Sequence, residues 1–561
     1  MAETLISPGY LTRENDQSQI TQLPISVGAA FVGPTVKGPV QVPTVVRSFS
    51  DYLAKFGGAF ISGGATYSYL TATAVSNYFN NGGQTALVTR IVSGTYSPAT
   101  ASISSSTVPS VLVLETLSEG AIMNTGTATG SNGTLLSGSA DNVKWQIVSS
   151  NTGSGTFSLL IRRGDDTATN IVALETWNNL SLDPNADNFV SKVIGDQDIV
   201  FTGTQITVTG SYPNASNYVR VKSVIATPNY FDNSGAPRAL YSASLPALAS
   251  GSFGGAQGGV IAGAAFYEQV TAGNIQGVSG TDYDTVLTLL ANKDDYKYNV
   301  LSLPGLTYQN APTQISTAVA NTQDRGDAIV VVDLSNYGET QVATINRALN
   351  INSSYAATYW PWVRLADPVT GRSVWMPTST LIPGVYAYSD KVSAPWFAPA
   401  GLNRGALSNV LMVEKKLATT DRDALYSSNI NPIATFPNAP VVVYGQKTLQ
   451  KKASALDRVN VRRLLVELKS YIGQIANTLV FEQNSDATRL SFLGRVNPYL
   501  QNIQQRQGLY AFRVVMDETN NTADVIDRNQ LVGQIYIQPT RTAEFVVVDF
   551  NVLPTGATFP S

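Results

Sequence analysis

The stretch Tyr359-Trp-Pro-Trp-Val-Arg-Leu-Ala-Asp-Pro-Val-Thr-Gly371, followed by Ala398-Pro-Ala-Gly-Leu-Asn-Arg404, constrains the fold more than any other part of this chain. Pro361, Pro368 and Pro399 pre-set φ, and Gly371 and Gly401 permit positive φ, so turns are fixed at these points. Trp360, Trp362, Trp375 and Trp396 supply large rigid rings for packing between layers or between subunits. Neither stretch has the makings of a catalytic pocket. A segment of this kind holds a shape.

Composition narrows the function classes. With 561 residues the chain has room for roughly three or four domains with real cores. Charged residues make up 13% and the net charge is −3, which gives no bulk attraction for nucleic acid and suits a surface that lies against copies of itself. Histidine and cysteine are both absent. Their absence removes Ser-His-Asp and Cys-His nucleophilic sites, Cys/His zinc sites and disulfides, while carboxylate pairs, Ser-Lys dyads and all-oxygen metal sites survive. No catalytic, cofactor-binding or metal-binding residue is expected, and the chain reads as a non-enzyme. The opening residues lack the basic start and apolar core of a signal peptide, and no apolar run reaches eighteen residues, so assembly in a cytoplasm without membrane insertion is the expectation.

Along the chain, residues 1–22 form a polar arm, either a tail or a segment that orders on a neighbour. Residues 23–92 read as strand, short helix, helix and strand: Leu23–Val32, a helix capped by Ser48 or Ser50 and ended by Gly57, a helix stopped at Asn81-Gly-Gly83, and Ala86–Val92. Residues 93–250 alternate short apolar runs with Ser/Thr/Gly turns, the pattern of an inserted all-β sandwich or barrel. Residues 251–282 begin with Gly251-Ser-Phe-Gly-Gly-Ala-Gln-Gly-Gly259, a flexible linker by composition that lacks the Gly-Lys-Ser/Thr ending of a phosphate loop. Residues 283–435 become α/β, with strands at Tyr298–Pro304, Ala328–Leu334 and Ala356–Trp360. Arg325-Gly-Asp327 there is read as a turn. Residues 436–530 form a C-terminal α/β unit, with a helix capped by Asn460 and another over 487–507 that Pro498 should kink. Residues 531–561 are terminal strands and an arm.

Several of these pieces resemble one known family. The Trp-Pro-rich stretch and Ala398–Arg404 look like core motifs of contractile-tail sheath proteins. Ile6-Ser-Pro-Gly-Tyr10, the Gly-Pro turn at 38–39, the Ser…Phe-Gly helix ending at Gly57, Val443-Tyr-Gly-Gln-Lys-Thr448, Asn460-Val-Arg-Arg463, Phe481-Glu-Gln-Asn484 and Ala543-Glu-Phe545 are similar to further family motifs, in the family's order. Two departures stand out: Lys447 occupies a position where arginine is usual, and an aspartate usual near the glycine-rich stretch is missing. The resemblance covers residues 1–92 and about 283–553.

What it implies is a structural subunit of a contractile sheath, α+β overall, its core built from N- and C-terminal parts. Subunits would stack as six-membered rings in a helix around a tail tube and contract to drive the tube through a cell envelope. Partners would be further copies of the chain, the tube, the baseplate and a tail terminator, with no direct nucleic acid; the place would be a virion tail assembled in a host cytoplasm. Terminal strands would be exchanged between neighbours through Ile6, Tyr10, Phe545, Val547, Phe550 and Val552, or else paired within the same chain. The β-branched run Phe545–Val552 fits this, since an uncovered strand of that kind aggregates. Lys447, Lys451, Lys452, Arg458, Arg462 and Arg463, opposed by Asp457 alone, form either a solvated helix entrance or a basic patch facing an acidic tube. Glu467, Glu482 and Glu544 are read as interface ion pairs. A non-contractile capsid or fibre component and a carbohydrate-active enzyme with paired carboxylates are the other classes left open.

Overall fold

The computed structural model describes residues 26–62, 65–124, 140–167, 169–202, 205–241, 243–259, 270, 275–407 and 409–544. Nine strands make the central sheet: β1 (Ser26–Gly33), β2 (Thr44–Val46), β3 (Ala86–Arg90), β4 (Lys297–Thr307), β5 (Ile329–Asp333), β6 (Ala356–Trp360), β7 (Ala406–Leu407), β8 (Asn431–Ala434) and β9 (Val441–Val443). Their order across the sheet is β2-β3-β1-β4-β5-β6-β8-β9-β7. From β3 through β8 neighbours run parallel, and the strands at either edge turn antiparallel.

The reason these strands read as unbroken apolar runs is that both faces are covered. Successive side chains point to opposite faces. Ala29 and Phe31 of β1 therefore join one cluster with Val88, Val300, Val331 and Ala357, while Ala30 and Val32 join another with Leu87, Leu301, Val330 and Val332. Helices α2 (Leu70–Asn80) and α5 (Ile382–Val392) pack into the first cluster, and α3 (Pro312–Arg325) and α4 (Gln341–Ala348) into the second. Local chemistry sets the ends of these elements. Ser48 accepts a hydrogen bond from the Asp51 amide at 3.0 Å and caps α1 (Phe49–Phe56), which ends at Gly57. Helix α3 ends at Gly326 in the left-handed region at φ 72°, so Arg325-Gly-Asp327 is a helix stop.

Between β3 and β4 the chain builds antiparallel sheets. Val143–Asn151, Thr156–Arg163, Ala173–Ser181 and Ser250–Ser252 form one; Pro98–Ile103, Leu112–Glu119 and Val219–Val224 form a second; Asp198–Thr202 and Gln205–Thr209 pair as a hairpin. Ile103, Leu114, Trp145, Phe157, Leu159, Ile161 and Val221 share one apolar cluster beneath them. A short helix, Val190–Ile194, sits among these strands. The glycine-rich stretch is not a free linker over its described part. Ser250–Ser252 pairs with the strand carrying Trp145, and Gly254 and Gln257 bridge to Thr100 and Ser97. Glycine serves close approach here: a Cβ on Gly251 would lie 2.8 Å from the Trp145 ring.

The chain closes with α6 (Val459–Asn477), α7 (Asp486–Gln505, continuous through Pro498) and a hairpin of Leu509–Val515 with Gln534–Pro539. Leu464, Leu468, Val496, Leu500 and Ile503 bury their side chains together with Trp396. Asn460 does not cap α6. The helix begins at Val459 behind Arg458, and the Asn460 amide instead donates to the Trp396 carbonyl and the Thr542 hydroxyl, both at 3.2 Å.

Candidate assembly interface

The Trp-Pro-rich stretch is a rigid wedge. Val363–Ala366 pairs with Ser373–Met376 on one side and with Val410–Val413 on the other. Asp367 organises the turn between the first two: its carboxylate accepts from the Val369 amide at 2.9 Å, the Thr370 hydroxyl at 2.6 Å and the Ser68 hydroxyl. The Trp362 indole donates to the Ser335 carbonyl at 3.0 Å, and Trp360 and Trp396 are buried as well. These rings pack between layers of one chain. Behind them, Asp333 is sealed at the end of β5, accepting from the Thr378 hydroxyl at 3.0 Å and the Ser379 amide at 3.2 Å. Burial outweighs those bonds and pushes its carboxyl up to about 6.

Four sequence motifs converge where the described chain ends. The Glu544 carboxylate is gripped by the Arg458 guanidinium through two bonds, at 2.6 and 2.9 Å. The Tyr426 hydroxyl donates to it at 2.7 Å and the Gln446 amide at 3.2 Å. Burial works against ionisation, but the Arg458 and Tyr426 bonds prevail and hold the Glu544 carboxyl below the usual glutamate value. Ala398, Ala400 and Arg404 line the same cleft of about 510 Å³, with Tyr444, Thr542 and Glu544. Thus Ala398–Arg404, the strand before Thr448, the start of α6 and Ala543-Glu544 jointly anchor the point from which residues 545–561 leave. Sequence spacing could not reveal Tyr426 or Gln446 as partners, because a tyrosine and a glutamine carry no signature of their own.

The predicted basic patch is taken apart by the fold. Arg463 is buried, pairs with Asp390 at 2.5 Å and lies over the Tyr386 ring, whose hydroxyl meets that of Tyr359 at 2.7 Å. Arg462 is buried against the Tyr355 ring and donates to the Ser354 hydroxyl. Both therefore point into the chain, since a guanidinium can stack on an aromatic face and satisfy its donors there. Lys447 is half-buried, donating to the Tyr426 carbonyl at 2.8 Å, and Arg458 serves Glu544 and Asp457. Lys451 and Lys452 alone of the six stand exposed. Glu544 is an intrachain ion pair, Glu467 is half-buried and Glu482 is exposed. Ile6, Tyr10, Phe545, Val547, Phe550 and Val552 lie outside the described residues.

Among the described residues no cluster of acidic side chains could hold a metal ion, and no helix is long and apolar enough to cross a membrane. Residues 259–449 match the family model of the phage tail sheath protein central domain, and residues 451–552 that of the phage tail sheath C-terminal domain. A tail sheath protein of Vibrio phage KVP40 is 42% identical over 246 residues, which cover 44% of this chain and 36% of the relative. The tail sheath protein of Enterobacteria phage T4 is 38% identical over 229 residues, covering 41% of this chain and 35% of the relative. The matched stretch thus spans about a third of each relative's own length. In fold, the chain is similar to a sheath tail protein from Listeria innocua, with a TM-score of 0.56 at 11% identity, covering 92% of this chain and 93% of the other. It is also similar to the helical sheath of the anti-feeding prophage in its contracted state, with a TM-score of 0.51 at 15% identity, covering 98% of this chain and 99% of the other.

Proposed function

Since the chain belongs to the phage tail sheath family, we propose that it is a structural subunit of a contractile tail sheath. Copies assemble as stacked six-membered rings around a tail tube, on a baseplate and below a terminator, and contract to drive the tube through a cell envelope. The observation that carries the reading is the match of residues 259–449 and 451–552 to the two sheath family models, together with the bonds that Arg458, Tyr426 and Gln446 make to Glu544. Contraction needs two lattice packings of modestly different free energy per subunit, summed over many subunits and released by a trigger. No nucleotide or other cofactor enters this scheme.

Linkage between neighbours is by strand exchange through Ile6, Tyr10, Phe545, Val547, Phe550 and Val552. The hairpin Leu509–Val515/Gln534–Pro539 supports this, because among the described residues its two strands pair only with each other and leave both outer edges open. Added strands would gain about 0.5–1.5 kcal/mol net per main-chain bond. The sheets between β3 and β4 form the inserted domain on the outside of the particle. Of these six basic residues, the exposed Lys451 and Lys452 are the ones that would face an acidic tube, Lys451 while its ammonium donates to the Leu349 carbonyl. The particle is a virion tail, assembled in the host cytoplasm.

Negative-stain electron microscopy of the purified protein tests the reading. Long, hollow, helically striated tubes are expected, alone or with the tube protein added. Dispersed monomers under both conditions would overturn it.

A further inference from the structure

The C-terminal unit is joined to the rest of the chain at one end and stands apart from it at the other. Its apolar cluster is its own: among the described residues, the buried members from outside 459–539 are Ala394 and Trp396. Trp396 is set into that cluster like a peg. Its indole donates to the Arg506 carbonyl at 3.0 Å, and the Arg506 guanidinium lies over the ring at 5.0 Å. Further fixed points sit in the first turns of α6, where Val459, Val461, Arg462 and Arg463 are all buried. Beyond them the contact with the central sheet opens into a groove of about 460 Å³ between α6 and the start of β4. A helix clamped at its start and open along its far half can swing about the clamp.

The charges lining the groove set what its closure would do. Lys293, Asp294 and Lys297 stand on the wall at the start of β4, and Glu467 and Lys469 on the α6 wall. Lys469 is held on the Tyr355 hydroxyl at 3.1 Å, and Asp327, which also lines the groove, is taken by Arg325. Asp294 offsets one of the two lysines. One surplus positive charge and Glu467 are therefore left across the groove from each other. Among the described residues, Lys293, Lys297 and Glu467 have no ion-pair partner. Burial raises the Glu467 carboxyl above its ordinary value, Asp390 adds to this and Arg463 opposes it, as befits a carboxylate short of a counter-ion. We propose that the C-terminal unit swings on the Trp396 peg and the start of α6, and closes this groove by pairing Glu467 with Lys293 or Lys297.

The dispersed full-length chain tests this, so the result stands apart from the sheath reading. The chain has no cysteine, so Thr288→Cys on the helix Asp284–Leu290 and Ala476→Cys on α6 can each carry one spin label. Both positions are exposed. Electron–electron distance measurement at low salt should show two populations, the shorter one being the closed groove. Raising salt from about 0.02 M to about 0.5 M should deplete the shorter population roughly two- to fivefold, because a partly exposed ion pair is screened. Glu467→Gln should do the same at low salt while its far-ultraviolet dichroism stays that of the parent. A single narrow distance, unmoved by salt and by Glu467→Gln, would show a rigid joint and overturn the proposal. Two populations that respond to neither would overturn the Glu467 pairing as the closing contact.

Discussion

The central sheet and the β-rich sheets inserted between β3 and β4 are built from similar residues and sit in opposite situations. In β3, β5 and β6 every position is buried, and alternate residues feed two separate apolar clusters. Polar groups trapped there, such as Asp333, must live with what the interior offers. The β-rich sheets cover one cluster, and much of their outer surface is wet. The hairpin Asp198–Thr202/Gln205–Thr209 leaves Ile199, Val200 and Val208 about half exposed, and the charge that is buried beneath these sheets, Glu115, is paired by Arg220 and Lys222. β-Branched composition alone therefore says little about how much a residue matters; the number of covered faces decides it.

That contrast can be broken by measurement. The largest effect belongs to Phe31→Ala in β1, where a buried ring set edge-on to Tyr78 at 5.7 Å is lost; about 3–5 kcal/mol of stability should disappear in urea denaturation. A loss below about 1 kcal/mol would mean that the sheet relaxes around cavities, and the contrast with the outer strands would fail.

Next is Asp333→Asn. The folded carboxyl titrates at about 6, above the ordinary aspartate value, so the native chain holds the proton more tightly. Its ionisation therefore costs stability at neutral pH, and that cost is relieved as pH falls through 6 towards 3.8. The asparagine variant should gain on the order of 2–3 kcal/mol at pH 8 and well under about 1 kcal/mol at pH 4. Equal effects at both pH values would show that hydrogen bonding rather than charge burial governs the site.

A smaller change is expected for Glu544→Gln. The side chain is only 16% exposed, and trading the carboxylate for an amide weakens its contacts without removing them, so the loss is about 1–2 kcal/mol, read as faster hydrogen exchange around Gln446 and Thr542. Because the folded Glu544 carboxyl sits below its ordinary value, the parent's anchoring is present above that ordinary value and fades as pH drops through the depressed one. Smallest of all, Val208→Thr on the outer hairpin should stay within about 0.5 kcal/mol. A larger loss would reveal a partner surface covering that hairpin.

Much of the architecture was legible in the residues. Uninterrupted runs such as Ile329–Asp333 announce a strand covered on both faces, and Ser48, Gly57 and Gly326 mark helix ends through chemistry that acts over three or four residues. The site was legible as a set of motifs but not as an arrangement. Arg458, Arg462 and Arg463 sit together in sequence, yet one grips Glu544, one stacks on Tyr355 and one pairs with Asp390. A cluster of cations along a helix looks the same on paper whether it faces water or the interior; its partners come from 73 to 108 residues away. The glycine-rich stretch misled in the same way, because glycine that permits flexibility also permits the close pairing of Gly251 over Trp145.

By itself, then, the amino-acid order determined the things that act locally: strands, helix ends, turns, the excluded chemistries of a chain without histidine or cysteine, and the ordered motifs that mark its family. Tertiary structure alone decided which charges are spent inside the chain, that β1 is joined on one side by β3 and on the other by β4 from more than two hundred residues later, and that the Phe481 ring stands exposed. The physical reason is range. Backbone preference is settled by near neighbours, whereas the worth of a charge or an aromatic ring depends on what the rest of the fold places against it.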